Sequence, residues 1–135
     1  MSYIIGFDIG GTNIVGGILN SKLELLKQRK VPTEAEKGAD HVISLIGRMA
    51  DSLLDDVGGA RKDLIAAGVG VPGFINPVKG HIIFAGHLGW NELPLGERLQ
   101  SVLGVPVTVD NDVRMYGYGE KIAGAGQDAE CLLAS

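Results

Sequence analysis

Two β-prone runs, Tyr3 to Phe7 and Ile14 to Leu19, are separated only by Asp8-Ile9-Gly10-Gly11-Thr12-Asn13. A connection that short joins neighbouring strands in one way, antiparallel, because a parallel return needs a long crossover. The chain therefore opens with a hairpin, and whatever fold follows must be built onto it. Its turn also holds a carboxylate, a hydroxyl and backbone amides beside two glycines. Glycine lets the backbone approach a ligand and aim its N–H groups at an anion. A carboxylate next to such a concavity suits Mg²⁺, which takes one or two carboxylates and fills its remaining positions with phosphate oxygens and water. From these residues alone, a phosphate and metal turn and an ordinary hairpin are equally good readings.

The hairpin is followed by a turn at Asn20-Ser21-Lys22 and by a third strand expected over Leu23 to Val31, alternating in character and closed by Pro32. The period then changes. Val42, Ile46, Met49, Leu53 and Val57 recur at helical spacing, and Ile43, Ala50 and Leu54 widen the stripe. This predicts a helix from Asp40 to Val57, with Asp40 as N-cap and Gly58-Gly59 as its stop. Leu64 to Val71 is a nearly unbroken apolar run, as expected of a strand covered on both faces. Arriving after a helix, it should lie parallel to the first strand. Gly68 to Gly73 matches G-x-G-x-x-G, but Pro77 and Gly80 exclude the helix that a dinucleotide site requires there.

Phe74 to Asn76 and His81 to Phe84 flank Pro77-Val78-Lys79-Gly80 and predict a smaller hairpin. Gly86 to Asn91 reads as irregular. Pro94 to Leu103 predicts a short helix with Leu95, Leu99 and Val102 inward, ended by Gly104. A last strand is expected over Val105 to Val109 and a last helix over Val113 to Ala123.

The composition limits what the chain can be. Its 135 residues suffice for one core, the net charge is −4, and no basic cluster points to nucleic acid. No apolar run is long enough to span a bilayer and no signal-peptide pattern opens the chain, so a cytoplasmic setting is expected. The single Cys131 excludes an internal disulfide and a multi-cysteine zinc site within the chain.

Two acids stand out by position, Asp8 at the end of the first strand and Asp112 beyond the end of the last. Ligands of α/β sheets bind outside the C-terminal ends of parallel strands. If these strands are parallel, both acids open on one crevice. One carboxylate for metal and one for a proton is the division that phosphoryl transfer to an alcohol requires. Asp112 also reads as a helix cap with no chemical role.

Asp8-Ile9-Gly10-Gly11-Thr12-Asn13, Gly70-Val71-Pro72-Gly73, Leu88-Gly89-Trp90 and Asn111-Asp112 together resemble the N-terminal lobe of a ROK-family (repressor, open reading frame, kinase) sugar kinase of the glucokinase kind. The resemblance runs over essentially the whole chain. It implies an α/β, ribonuclease-H-like lobe of the actin/Hsp70/sugar-kinase group, a mixed sheet with helices on its faces. By the same resemblance Asp8, Gly10, Gly11, Thr12 and Asn13 bind the phosphates of ATP, and Asp8 holds Mg²⁺ directly or through water. Asp112 is then the general base, Asn111 hydrogen-bonds sugar hydroxyls and Gly73 offers backbone to the same pocket. His87 stands where the family has Asn before Leu-Gly-Trp; it is either a sugar ligand of different reach or a loop residue. Trp90 either stacks on a sugar or anchors its loop in the core.

Residues 1–123 are accordingly expected to form the ATPase and sugar-binding lobe, and 124–135 to begin the connection to a second lobe. The family's second phosphate loop, its His-and-Glu sugar segment and its cysteine-rich zinc site have no counterpart in the chain. The expected function is part of a hexose kinase using ATP and Mg²⁺ on a small sugar, inactive as 135 residues alone; oligomeric state, a homo-oligomer included, is left open. The rival readings are a non-catalytic sugar-binding member, a transcription regulator, and an ATPase of the same fold group with no sugar pocket. Repressors of the family carry a helix-turn-helix ahead of this lobe, and the chain opens two residues before its first strand, which turns the expectation toward the kinases.

Overall fold

A computed structural model describes residues 2–71, 73–76, 80–85 and 88–110. His87, Asn111, Asp112, Cys131, the helix expected over 113–123 and the connection expected from 124 lie outside them.

The opening hairpin forms as expected. β1 (Tyr3–Ile9) pairs antiparallel with β2 (Asn13–Asn20), from Ile9 opposite Ile14 to Tyr3 opposite Asn20. β3 (Leu25–Pro32) continues the meander. It starts two residues later than the sequence suggests because Asn20 organises the preceding turn: its side-chain oxygen accepts from the Lys22 and Glu24 amides, and Leu23 sits at φ 64. The alternation expected of β3 is absent; only Val31 is even half-buried. β3 is the outermost strand, and Lys27, Arg29 and Lys30 give it the charged edge that discourages further pairing.

α1 (Ala39–Asp56) buries the predicted stripe, including Val42, Ile46, Met49, Leu53 and Leu54. Its N-cap is Gly38 rather than Asp40. A single 3₁₀ turn, Ala35–Lys37, runs into the helix through Gly38, so Asp40 falls in the first turn, where a negative charge suits the helix dipole. There it pairs with Arg98. The C-terminus closes as a Schellman motif, with Gly59 N–H on Leu54 O (2.8 Å), Gly58 N–H on Asp55 O (3.1 Å) and Gly58 at φ 73.

β4 (Leu64–Gly70) lies parallel to β1 and completes a βαβ unit. β8 (Val107–Asp110) lies parallel to β4 on its far side, giving a sheet ordered β3-β2-β1-β4-β8. Between β4 and β8 the chain makes a second, three-stranded antiparallel sheet, β5 (Phe74–Asn76), β6 (His81–Ala85) and β7 (Trp90–Leu93). The small hairpin was expected; β7 was not, since its two middle residues, Asn91 and Glu92, are polar and exposed. Its two ends, Trp90 and Leu93, pair with Ala85 and Ile82.

α2 (Leu95–Leu103) begins after Pro94 and ends at Gly104 in the left-handed region. Its apolar face is turned toward Leu103, which is buried, and away from Val102, which was expected inward and is 40% exposed. Val102 instead flanks α1, where a Cβ on Gly47 would stand 2.8 Å from its Cγ1. Both helices cover one face of the large sheet, and one core joins Ile5, Phe7, Val69 and Val109 to α1 and α2. On the opposite face Gly17, Gly6 and Gly68 lie side by side on β2, β1 and β4, and Ile4 and Ala66 form a second, smaller apolar cluster.

Candidate functional site

The parallel strands end together. Asp8 of β1 is in register with Gly70 of β4, and Gly70 with Asp110 of β8. Their neighbours Phe7, Val69 and Val109 point into the helix-covered core, so Asp8 and Asp110 project from the other face, as side chains alternate along a strand. Two strand spacings separate them, about 10 Å between backbones, and Gly70 between them contributes no side chain. Asp8 is exposed. Val71, just past β4, donates its N–H to Asp110 O at 2.9 Å, which keeps β8 in step to its end. Asp110 leads directly into Asn111 and Asp112.

Beside Asp8 the turn between β1 and β2 is held tightly. Gly10 N–H donates to Asn13 O at 2.9 Å, and a Cβ on Gly10 would lie 3.1 Å from that same oxygen. Gly11 and Thr12 at its tip are exposed. The turn is braced from outside the hairpin by Thr33, just past β3. The Thr33 hydroxyl donates to Gly10 O (2.7 Å) and its amide to Thr12 O (2.9 Å).

Gly73 lies three residues beyond Gly70 on the same strand-end side, exposed and at φ 149. That backbone region favours glycine. A strand, β5, follows it where a dinucleotide fingerprint would need a helix. Leu88 and Trp90 are each 4% exposed and belong to the core. Of the two readings of Trp90, the core anchor is the one observed. Its indole N–H is buried with no hydrogen-bond partner among the described residues. A shallow cavity of about 410 Å³ opens between the approach to α1 (Glu36, Gly38, Ala39) and the Leu88–Trp90 turn.

Glu34 holds Lys37 at 2.9 Å and lies 3.2 Å from His41. The Lys37 ammonium, foremost by its hydrogen bond, holds the Glu34 carboxyl below the usual carboxylate value, with His41 adding to the effect. Neither Asp110 nor Thr33 was singled out from sequence as a site residue. Asp110 was masked by the more conspicuous Asn111-Asp112 beside it, though a register count from Asp8 through Gly70 reaches it. Thr33 carries no local signal, because its partners lie more than twenty residues away in the chain.

The profile described as the ROK family matches residues 4–135. A glucokinase from Halalkalibacterium halodurans is 34% identical over 131 residues, 97% of this chain and 40% of its own length. A xylose repressor from Caldicellulosiruptor bescii is 27% identical over 125 residues, 87% of this chain and 30% of its own. Among solved structures, the inorganic polyphosphate/ATP-glucomannokinase of Arthrobacter sp. strain KM superposes with a TM-score of 0.72 at 31% identity, covering 93% of this chain and 50% of that one. A Streptomyces griseus ROK-family glucokinase in complex with glucose and AMPPNP gives 0.64 at 31% identity, over 93% of this chain and 38% of that one. The chain thus spans about two fifths of the length of the glucokinase relative it matches.

Proposed function

The chain belongs to the ROK family, and from that premise we propose that it forms the N-terminal part of an ATP-dependent hexose kinase, transferring the γ-phosphate to the 6-hydroxyl of a sugar such as glucose. The observation that carries this reading is the row Asp8, Gly70, Asp110 at the shared end of three parallel strands, with the Gly10–Asn13 turn on one flank. That arrangement gathers the acids and the amide-bearing turn on one side of the sheet, where α/β proteins bind ligands.

In this reading Asp8, Gly10, Gly11, Thr12 and Asn13 receive the phosphates of ATP. A hard carboxylate exposed beside a residue without a side chain fits Mg²⁺, which takes one or two carboxylates and needs room for its water. Asp8 would hold it, with Asp110 level with Asp8. When bound, Mg²⁺ neutralises charge on the phosphate oxygens. Asp112, two residues beyond β8, orients the sugar hydroxyl and takes its proton late, because a carboxylate is far too weak a base to form the free alkoxide. Asn111 and Gly73 contact the sugar, and His87 tunes which sugar is accepted. The exposed Gly11 amide then stabilises charge on the transferred group.

The test is turnover by the natural full-length protein that carries this chain, with a panel of hexoses and ATP. Asp112→Asn is expected to lower kcat at least about a hundredfold while sugar binding survives; near-normal turnover removes Asp112 as the base. The second reading, a transcription regulator, draws on the repressor relative. It predicts sugar-dependent binding of operator DNA and no hexose-dependent ATP consumption.

A further inference from the structure

Among the described residues one polar side chain is buried outright: Thr33, 0% exposed. A buried hydroxyl must find a partner or lose the free energy of its hydration. This one spends its donor on the tip of a hairpin to which it does not belong. Thr33 follows the outer strand β3, yet its hydroxyl and its amide both donate to the β1–β2 turn, to Gly10 O and Thr12 O.

The consequence follows from the planarity of the peptide. In a trans peptide the C=O of one residue and the N–H of the next point in opposite directions. Drawing the Gly10 carbonyl toward Thr33 therefore turns the Gly11 N–H away from it, and drawing the Thr12 carbonyl turns the Asn13 N–H likewise. Gly11 is exposed, so its amide is presented to whatever docks on the turn. The Gly10–Gly11 peptide is the one that most needs such a hold. With glycine on both sides, little steric cost opposes rotation of the plane. Rotation would put a carbonyl oxygen, partially negative, where the amide had been, and an anion would be repelled.

We propose that Thr33 is a positioning residue for phosphate recognition: its hydroxyl fixes the Gly10–Gly11 peptide with the N–H outward, and so sets the polarity of the turn. This rests on reading the turn as a nucleotide phosphate site. It assigns a role to a side chain that contacts no phosphate and lies on a different strand pair.

The experiment compares Thr33→Val, which keeps the shape and removes the donor, with Thr33→Ser, which keeps the donor, in the natural full-length protein. Binding of Mg-ATP is read by calorimetry, and KM for ATP and for hexose by turnover. Thr33→Val is expected to weaken ATP binding and raise its KM about tenfold, as loss of one buried hydrogen bond would. The hexose KM should not move, and Thr33→Ser should restore ATP affinity to within about twofold. Equal weakening of hexose and ATP, or an unchanged ATP affinity in Thr33→Val, overturns the proposal. Should Thr33→Val not fold, Thr33→Cys retains a weaker donor, and wild-type ATP affinity in that variant overturns it equally. A wild-type protein that binds ATP but phosphorylates no hexose defeats the kinase reading alone; one that binds no ATP defeats both.

Discussion

Gly80 and Gly96 touch backbone to backbone. Gly96 N–H donates to Gly80 O at 2.9 Å, and a Cβ on Gly80 would stand 3.2 Å from Gly96 Cα. Gly80 also sits at φ 68, a region that costs any residue with a Cβ. Through this contact the small sheet is seated on the first turn of α2. Gly80→Ala is therefore expected to destabilise the protein by about 1–3 kcal/mol, seen as a lower urea midpoint; a midpoint equal to wild type would mean that the contact yields freely. Sequence reading identified Gly80 as a turn residue, which it is, but its second duty depends on Gly96, and that distance exists only in the fold. Trp90 shows the same limit. Its composition allowed stacking on a sugar or burial, and its place in the core decided between them.

At the scale of elements, α1 was the most legible piece, because a stripe repeated over 18 residues leaves no other period to fit. β3 was the least. Alternation along Leu25 to Pro32 meant little once the strand stood at the sheet edge, where only Val31 reaches the core under α1. What ties β3 to α1 is an ion pair: Arg29 Nε donates to Asp56 Oδ2 at 2.7 Å and Nη2 to Oδ1 at 2.9 Å. The Arg29 hydrogen bond, with its charge and that of Lys27 adding to it, holds the Asp56 carboxyl below its ordinary value. A carboxyl with a depressed pKa in the folded state contributes stability above its unfolded pKa and loses that contribution as pH falls through the folded one. The melting temperature of wild type should thus exceed that of Asp56→Asn by a small margin at neutral pH. The margin should vanish once pH falls well below about 4, and shrink in high salt, since the pair is exposed. A margin that persists into acid would assign the effect to something other than the charge.

Among the described residues the molecule is a five-stranded sheet with both helices on one face, a smaller three-stranded sheet formed between β4 and β8 in the chain, and a candidate site at the ends of the parallel strands. It corresponds to about 40% of the length of the glucokinase it resembles. We therefore expect the 135-residue chain alone to show no hexose-dependent ATP consumption, and the natural full-length protein to show it; turnover by the chain alone would mean that one lobe suffices. The sequence by itself determined the hairpin, the long helix, the parallel return of β4 and the family, because each rests on a period, a turn or a motif carried by residues close together in the chain. Register, edge and brace were decided only by the tertiary structure: Asp110 level with Asp8, β3 outermost and bare, Thr33 locked onto the turn. Each of those depends on residues brought together across tens of positions. The Asp8–Asn13 turn was first equally a plain hairpin and a phosphate site. What the fold adds is the orientation of its peptides, fixed by a threonine that no reading of the turn alone could include.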